Sequence, residues 1–177
     1  MKKFLALASV VAVVGVVGTA SAMDRSGKFG LGIQESFTDT FTSARLGTWS
    51  LKYGINSDIT AQFLIGFDFG NKTTNSDINF GARALYNVVK HDNSNFYTGL
   101  GVGWNQDKAG NVAGDARILR INIPLGWEFS FNGLPEVGFS MEAGLDYDYV
   151  KAGKASIISS VGGKVGGNLG LGVHYYF

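Results

Sequence analysis

Gly167-Asn-Leu-Gly-Leu-Gly-Val-His-Tyr-Tyr-Phe177 closes the chain in strict two-residue alternation. Leu169, Leu171, Val173, Tyr175 and Phe177 share one face of a strand, and Gly170, Gly172 and His174 share the other. An aromatic strand left as a free edge invites association with other chains, so a soluble protein gains little from such an ending. A closed barrel has no free edge, and the rest of the sequence is read against that possibility.

Seven earlier segments keep the same phase. Their apolar rows run from Phe29 to Phe37, Trp49 to Ile55, Ile59 to Phe69, Ile78 to Val88, Phe96 to Trp104, Leu119 to Phe129 and Val137 to Tyr149. The rows span 7 to 13 residues, and most reach the roughly 9 to 11 that a tilted strand needs to cross a bilayer, well beyond a usual globular strand. The connections alternate too. Asn56-Ser-Asp58, Lys90 to Asn95 and Asn132-Gly-Leu-Pro-Glu136 are short, with Asn132-Gly133 the clearest hairpin signal. Thr38 to Ala44, Asn71 to Asp77, Asp107 to Ala116 and Lys151 to Lys164 are longer overall. Short turns at one end and longer loops at the other predict an up-and-down barrel with both termini at the turn end.

The amino-terminal stretch points to export. Met1-Lys-Lys3 is a basic start, Phe4 to Val17 is an apolar run, and Ala20-Ser-Ala22 has a small-x-small cleavage pattern. That run of about 14 residues is short for a transmembrane helix, so residues 1–22 are expected to be a cleaved signal peptide and 23–177 the barrel domain. Losing Lys2 and Lys3 moves the formal charge from +1 to about −1, which gives no footing for a nucleic-acid partner. Twenty-six glycines, two prolines, no cysteine and 16% charged residues fit an all-β chain without disulfides or thiolate metal sites.

Alternation does not by itself say which row faces inward. A soluble lipocalin-like barrel would turn its apolar row in and clothe the other row with charged and polar residues. Here that other row is glycine-rich, with Gly30, Gly32, Gly99, Gly101, Gly103, Gly126 and Gly172 among its members, as a narrow lumen requires. The apolar row carries no central Lys or Arg, and Trp49, Trp104, Tyr149, Tyr53, Tyr86, Phe129 and Tyr175 gather near strand ends like two interfacial girdles. The apolar row is therefore expected to face lipid. Two residues break the pattern: Glu35 on the apolar row near the loop end, and Pro124 midway along the sixth segment, where a bulge is expected.

The inward charges sort by height. Asp68, Arg120, Asp146 and Asp148 fall near the loop-end rim, Arg83 and Glu142 at mid-depth, and Lys28, Lys52, Glu128 and His174 toward the turns. Each layer holds both signs, so pairing is expected, with Arg83 and Glu142 as the central pair of a filled lumen. A gated ion path through the same residues is the alternative. Signals for chemistry are weak. His91 and His174 are the two histidines, both at the turn end, and each is read as an interfacial polar residue. No Ser-His-Asp grouping can be drawn without reversing the barrel. Asp68, Asp146 and Asp148 are read as a solvated rim before a calcium site, and Gly99-Leu-Gly-Val-Gly103 as strand, since it lacks phosphate-loop spacing. No metal and no cofactor is expected.

The leader, eight membrane-length strands, alternating turns and loops and the terminal Tyr175-Tyr-Phe177 together resemble the small outer-membrane β-barrel family that includes the OmpA transmembrane domain and OmpX. The resemblance covers the whole of 23–177 and is one of pattern, apart from the terminal aromatic signal. It implies an eight-stranded antiparallel transmembrane barrel in the outer membrane of a Gram-negative bacterium, monomeric, with Tyr175 and Phe177 as the signal read by the barrel-assembly machinery. Outer-membrane lipid and lipopolysaccharide are the implied partners; Lys151, Lys154 and Lys164 in the last loop are read as solvated lysines before lipopolysaccharide-phosphate contacts. A downstream peptidoglycan-binding domain of the kind OmpA carries is not expected, so wall anchoring is not carried over. A structural or surface-interaction role, without enzymatic activity, is the leading expectation. A narrow channel comes second and a lipid-modifying enzyme third.

Overall fold

The computed structural model describes residues 23–36, 48–68, 77–107, 116–152, 156–161 and 169–177. The expected signal peptide, residues 1–22, lies outside them. Nine strand segments form one antiparallel sheet: β1 (Phe29–Ser36), β2 (Thr48–Gly54), β3 (Ile59–Asp68), β4 (Asp77–Lys90), β5 (Ser94–Asp107), β6 (Ala116–Phe131), β7 (Leu134–Ala152), β8 (Ser156–Val161) and β9 (Leu169–Tyr176). Neighbours run in chain order from β1 to β7, and β9 joins β7 to β1, which closes the sheet on itself. β8 and β9 pair with successive parts of the same edge of β7 and together make the eighth stave. The seam with β1 runs from Ser36 opposite Gly170 to Gly30 opposite Tyr176. Phe177 then exchanges backbone hydrogen bonds with Phe29 at 2.9 and 3.2 Å, so the terminal residue is the last rung of the wall.

The two rows of each strand separate by chemistry as alternation predicts, with the apolar row outside. Leu100 is 58% exposed and Leu145 65%, and Leu31, Ile33, Phe63, Val102, Ile121 and Val173 are exposed with them. Lys52, Gln62, Ser50, Ser140 and His174 are instead completely enclosed. A soluble barrel would have these rows exchanged. Burying polar groups is tolerable only where they bond one another, and a bare apolar exterior is stable only against an apolar solvent.

Glycine sets how tightly the lumen fills. A Cβ on Gly126 would lie 2.2 Å from Cζ of Tyr97, and one on Gly32 would lie 1.9 Å from the carbonyl oxygen of Val173. Neither site admits a side chain: the Tyr97 ring occupies the space at Gly126, and the β9 backbone with the His174 ring occupies it at Gly32.

Three features depart from the sequence reading. No bulge forms at Pro124: β5 and β6 hold one register from Ser94–Phe129 to Asp107–Ala116, with the rungs beside Pro124 absent. The proline faces β5, and its carbonyl accepts a 2.9 Å hydrogen bond from Thr98 Oγ1, so the ladder opens locally without an inserted residue. Register shifts occur at Asn87/Val89 and Phe129/Phe131. Much of the expected loop from Lys151 to Lys164 is strand, since β7 extends to Ala152 and pairs with β8. The adjacent Ile157 and Ile158 hide this segment from an alternation test although β-branched residues favour strand. Lys28 is exposed just ahead of β1 and does not enter the lumen.

Candidate functional site

The inward row forms a polar column with Glu142 of β7 at its centre. Arg83 Nη1 of β4 donates to Glu142 Oε2 at 2.7 Å, and Tyr97 Oη of β5 donates to Oε1 at 2.6 Å. Gln34 Nε2 of β1 donates to Oε2 as well. Three staves beyond its own neighbours thus converge on one carboxylate, which has exchanged water for three donors.

The network continues through Gln34. Gln62 Nε2 donates to Gln34 Oε1 at 2.6 Å and lies 2.8 Å from Ser50 Oγ, which in turn is 2.7 Å from His174 Nε2. Toward the turns Lys52 Nζ and Glu128 Oε2 form a salt bridge of 2.5 Å, and Tyr176 Oη donates to Glu128 Oε1 at 2.7 Å. Toward the loops Arg120 Nη1 lies 3.5 Å from Asp146 Oδ2, and Asn122 Nδ2 donates to Asp146 Oδ1. Arg83 with Glu142, Lys52 with Glu128 and Arg120 with Asp146 are therefore brought together. Asp68 stands on β3 in register with Asp77, and Asp148 on β7 opposite Arg120; the side chains of both lie outside the described residues. Tyr175 faces outward beside Phe177.

A recurrent geometry produces these contacts. Gly126 is the register partner of Tyr97 on one side and of Glu142 on the other. Gly32 is likewise flanked by Ser50 and His174. In each row the bonded pair reaches across the glycine between them, because no Cβ stands in the way. Alternation alone places all four partners inside, but only register reveals which pairs share a row.

His174 corrects an expectation. It is fully enclosed among lumen side chains, not interfacial, because the inward row of β9 continues to the seam with β1. Its contact with Ser50 is also a serine–histidine pair that sequence reading did not find. Among the described residues the ring's Nδ1 has no hydrogen-bond partner, so no carboxylate there orients the imidazole, and both members of the pair are buried. Tyr97, Tyr176, Gln34 and Gln62 were also not singled out from sequence. Among the described residues, no group of three or more His, Asp or Glu is placed to hold a metal ion.

Comparison with solved structures gives the architecture its context. The N-terminal β-barrel domain of OprF from Pseudomonas aeruginosa superposes with a TM-score of 0.52 at 19% identity, over 85% of this chain and 96% of that one. The fold is that of an outer-membrane β-barrel. Neisserial surface protein A aligns with a TM-score of 0.45 at 17% identity, over 85% of this chain and 94% of that chain. No family model and no curated protein matches the sequence. Within the outer-membrane barrel fold, the particular lumen rests on this chain's own residues.

Proposed function

We propose that this protein is an integral barrel of the bacterial outer membrane that acts as a structural or surface-interaction element, with a lumen held shut by its own side chains. Short turns then face the periplasm, the longer loops face outward, and the exposed apolar row meets lipid and lipopolysaccharide. The terminal row ending in Tyr175 and Phe177 is the segment offered to the assembly machinery.

The observation that carries the closed-lumen reading is the convergence of Arg83, Tyr97 and Gln34 on Glu142. A paired and bonded carboxylate at mid-depth rigidifies the column and leaves no line of mobile charge for an ion to follow. Planar-bilayer recording from purified protein tests this. The expected trace is flat for the wild type. Discrete openings whose amplitude or lifetime changes in Glu142→Ala would replace the closed reading with a narrow channel.

A further inference from the structure

Immediately before β1, Met23 to Gly27 leave the wall and cross the mouth of the barrel at the turn end. The Met23 amide donates to the His91 carbonyl at 2.7 Å, and the Met23 carbonyl accepts from Asn95 Nδ2 at 3.0 Å, which fastens the segment to the β4–β5 hairpin. Arg25 fastens it to the β6–β7 hairpin: Nη1 donates to the Pro135 carbonyl at 2.8 Å and Nη2 to Ser130 Oγ at 2.7 Å. The same guanidinium lies 4.0 Å from the centre of the Tyr176 ring, and its Nε is 3.9 Å from Glu128 Oε1. Ser26 bridges Gly54 at the end of β2, the Gly27 amide donates to the Gly54 carbonyl at 2.7 Å, and Gly27 at φ 72° turns the chain back into the wall.

Met23 and Arg25 are buried and point in, whereas Asp24 and Ser26 are exposed and point out. Five residues thus touch three hairpins or strand ends around one rim. Charge balance does not demand this, since Lys52 already pairs with Glu128; Arg25 brings a second cation into the same enclosed layer. A buried guanidinium persists where its charge and most of its donors are met, and here two acceptor oxygens, a π face and a carboxylate receive it from separate parts of the rim. Behind it lies a small cavity lined by Lys52, Thr60, Asn87, Tyr97 and Glu128.

We propose that Met23–Gly27 is a strap, latched through Arg25, that shuts the turn-end mouth and seals this cavity from the solution on that side. The closure is separate from the mid-lumen network around Glu142, so it can open while that network stays formed.

The chain has no cysteine, so single introduced thiols report cleanly. Leu85 also lines the cavity and is buried, so Leu85→Cys places a thiol behind the strap, and Asn132→Cys places a reference thiol on the exposed β6–β7 turn. Folded protein in detergent is treated with a small methanethiosulfonate reagent, with unheated gel mobility verifying the fold. The Leu85→Cys thiol is expected to react at least about 100-fold more slowly than the Asn132→Cys thiol, and Arg25→Ala to speed it about tenfold while leaving the reference unchanged. Equal rates with Arg25 intact, or no acceleration on Arg25→Ala, overturn the proposal. If Arg25→Ala does not fold, Asn95→Ala releases the other anchor, and an unmoved Leu85→Cys rate there overturns it equally.

Discussion

Tyr97 of β5 donates its hydroxyl hydrogen to Glu142 of β7 over the backbone of Gly126 in β6, at 2.6 Å, although β5 and β7 are not neighbours in the wall. One glycine with two register partners lets a side chain span a stave. That relationship makes the centre of the lumen a unit, and most expected effects of substitution follow from it.

Removing the phenol oxygen isolates one bond. Tyr97→Phe keeps the ring over Gly126 and takes one of three donors from a buried carboxylate, with an expected loss of about 1–3 kcal/mol. Reversible urea unfolding in lipid vesicles reads this directly, and a loss near zero would mean that the bond contributes nothing net.

Breaking the ion pair from one side is expected to cost more than breaking it from both. Glu142→Ala leaves Arg83 buried and uncompensated, at about 3–5 kcal/mol. Adding Arg83→Ala to that variant recovers part of the loss, so the double-mutant cycle yields a coupling well above zero. Simple additivity would argue against a direct interaction.

Filling the spanned glycine tests the row itself. Gly126→Ala sets a methyl group against the Tyr97 ring and is expected to destabilise by about 1–3 kcal/mol through overpacking. The same substitution in a Tyr97→Ala background costs much less, because the obstructing ring is gone. Equal costs in the two backgrounds would show that Tyr97 is not what Gly126 accommodates.

The outer face responds to charge in the opposite sense from the lumen. Leu100 is exposed midway along β5, and Leu100→Arg is expected to cost about 2–4 kcal/mol in a bilayer. Gel mobility after unheated loading gives the folded fraction. An arginine tolerated there without loss would place the residue outside hydrocarbon.

A pH effect belongs to the β2–β3 turn. The hydrogen bond from Lys90 to Asp58 holds the Asp58 carboxyl below its ordinary value of 3.8. A carboxyl depressed in the folded state stabilises fully above its unfolded value, and that contribution disappears as pH falls through the folded one. The stability gap between wild type and Asp58→Asn is therefore expected to be constant near neutrality and to close below about pH 4. A gap unchanged by acid would show that Asp58 and Lys90 do not interact in solution.

Alternation along the chain determined the two rows of most strands, and the glycine-rich make-up of one row with no central Lys or Arg on the other determined which row faced out, and with it the inward placement of Lys52, Arg83, Glu128 and Glu142. A two-residue period assigns a face to every residue of a strand as soon as one is fixed, and such information is local. Only the tertiary structure decided the relations between staves. Gln34, Tyr97 and Arg83 meet at Glu142 because of stagger accumulated around the wall, which no single strand encodes. The strap is equally invisible in sequence, since Met23 and Arg25 acquire partners from hairpins about 70 to 110 residues away that only barrel closure brings near. His174 reads as a terminal polar residue until the β1–β9 seam encloses it. The open rungs at Pro124 were decided there too, by which neighbour the missing amide faced.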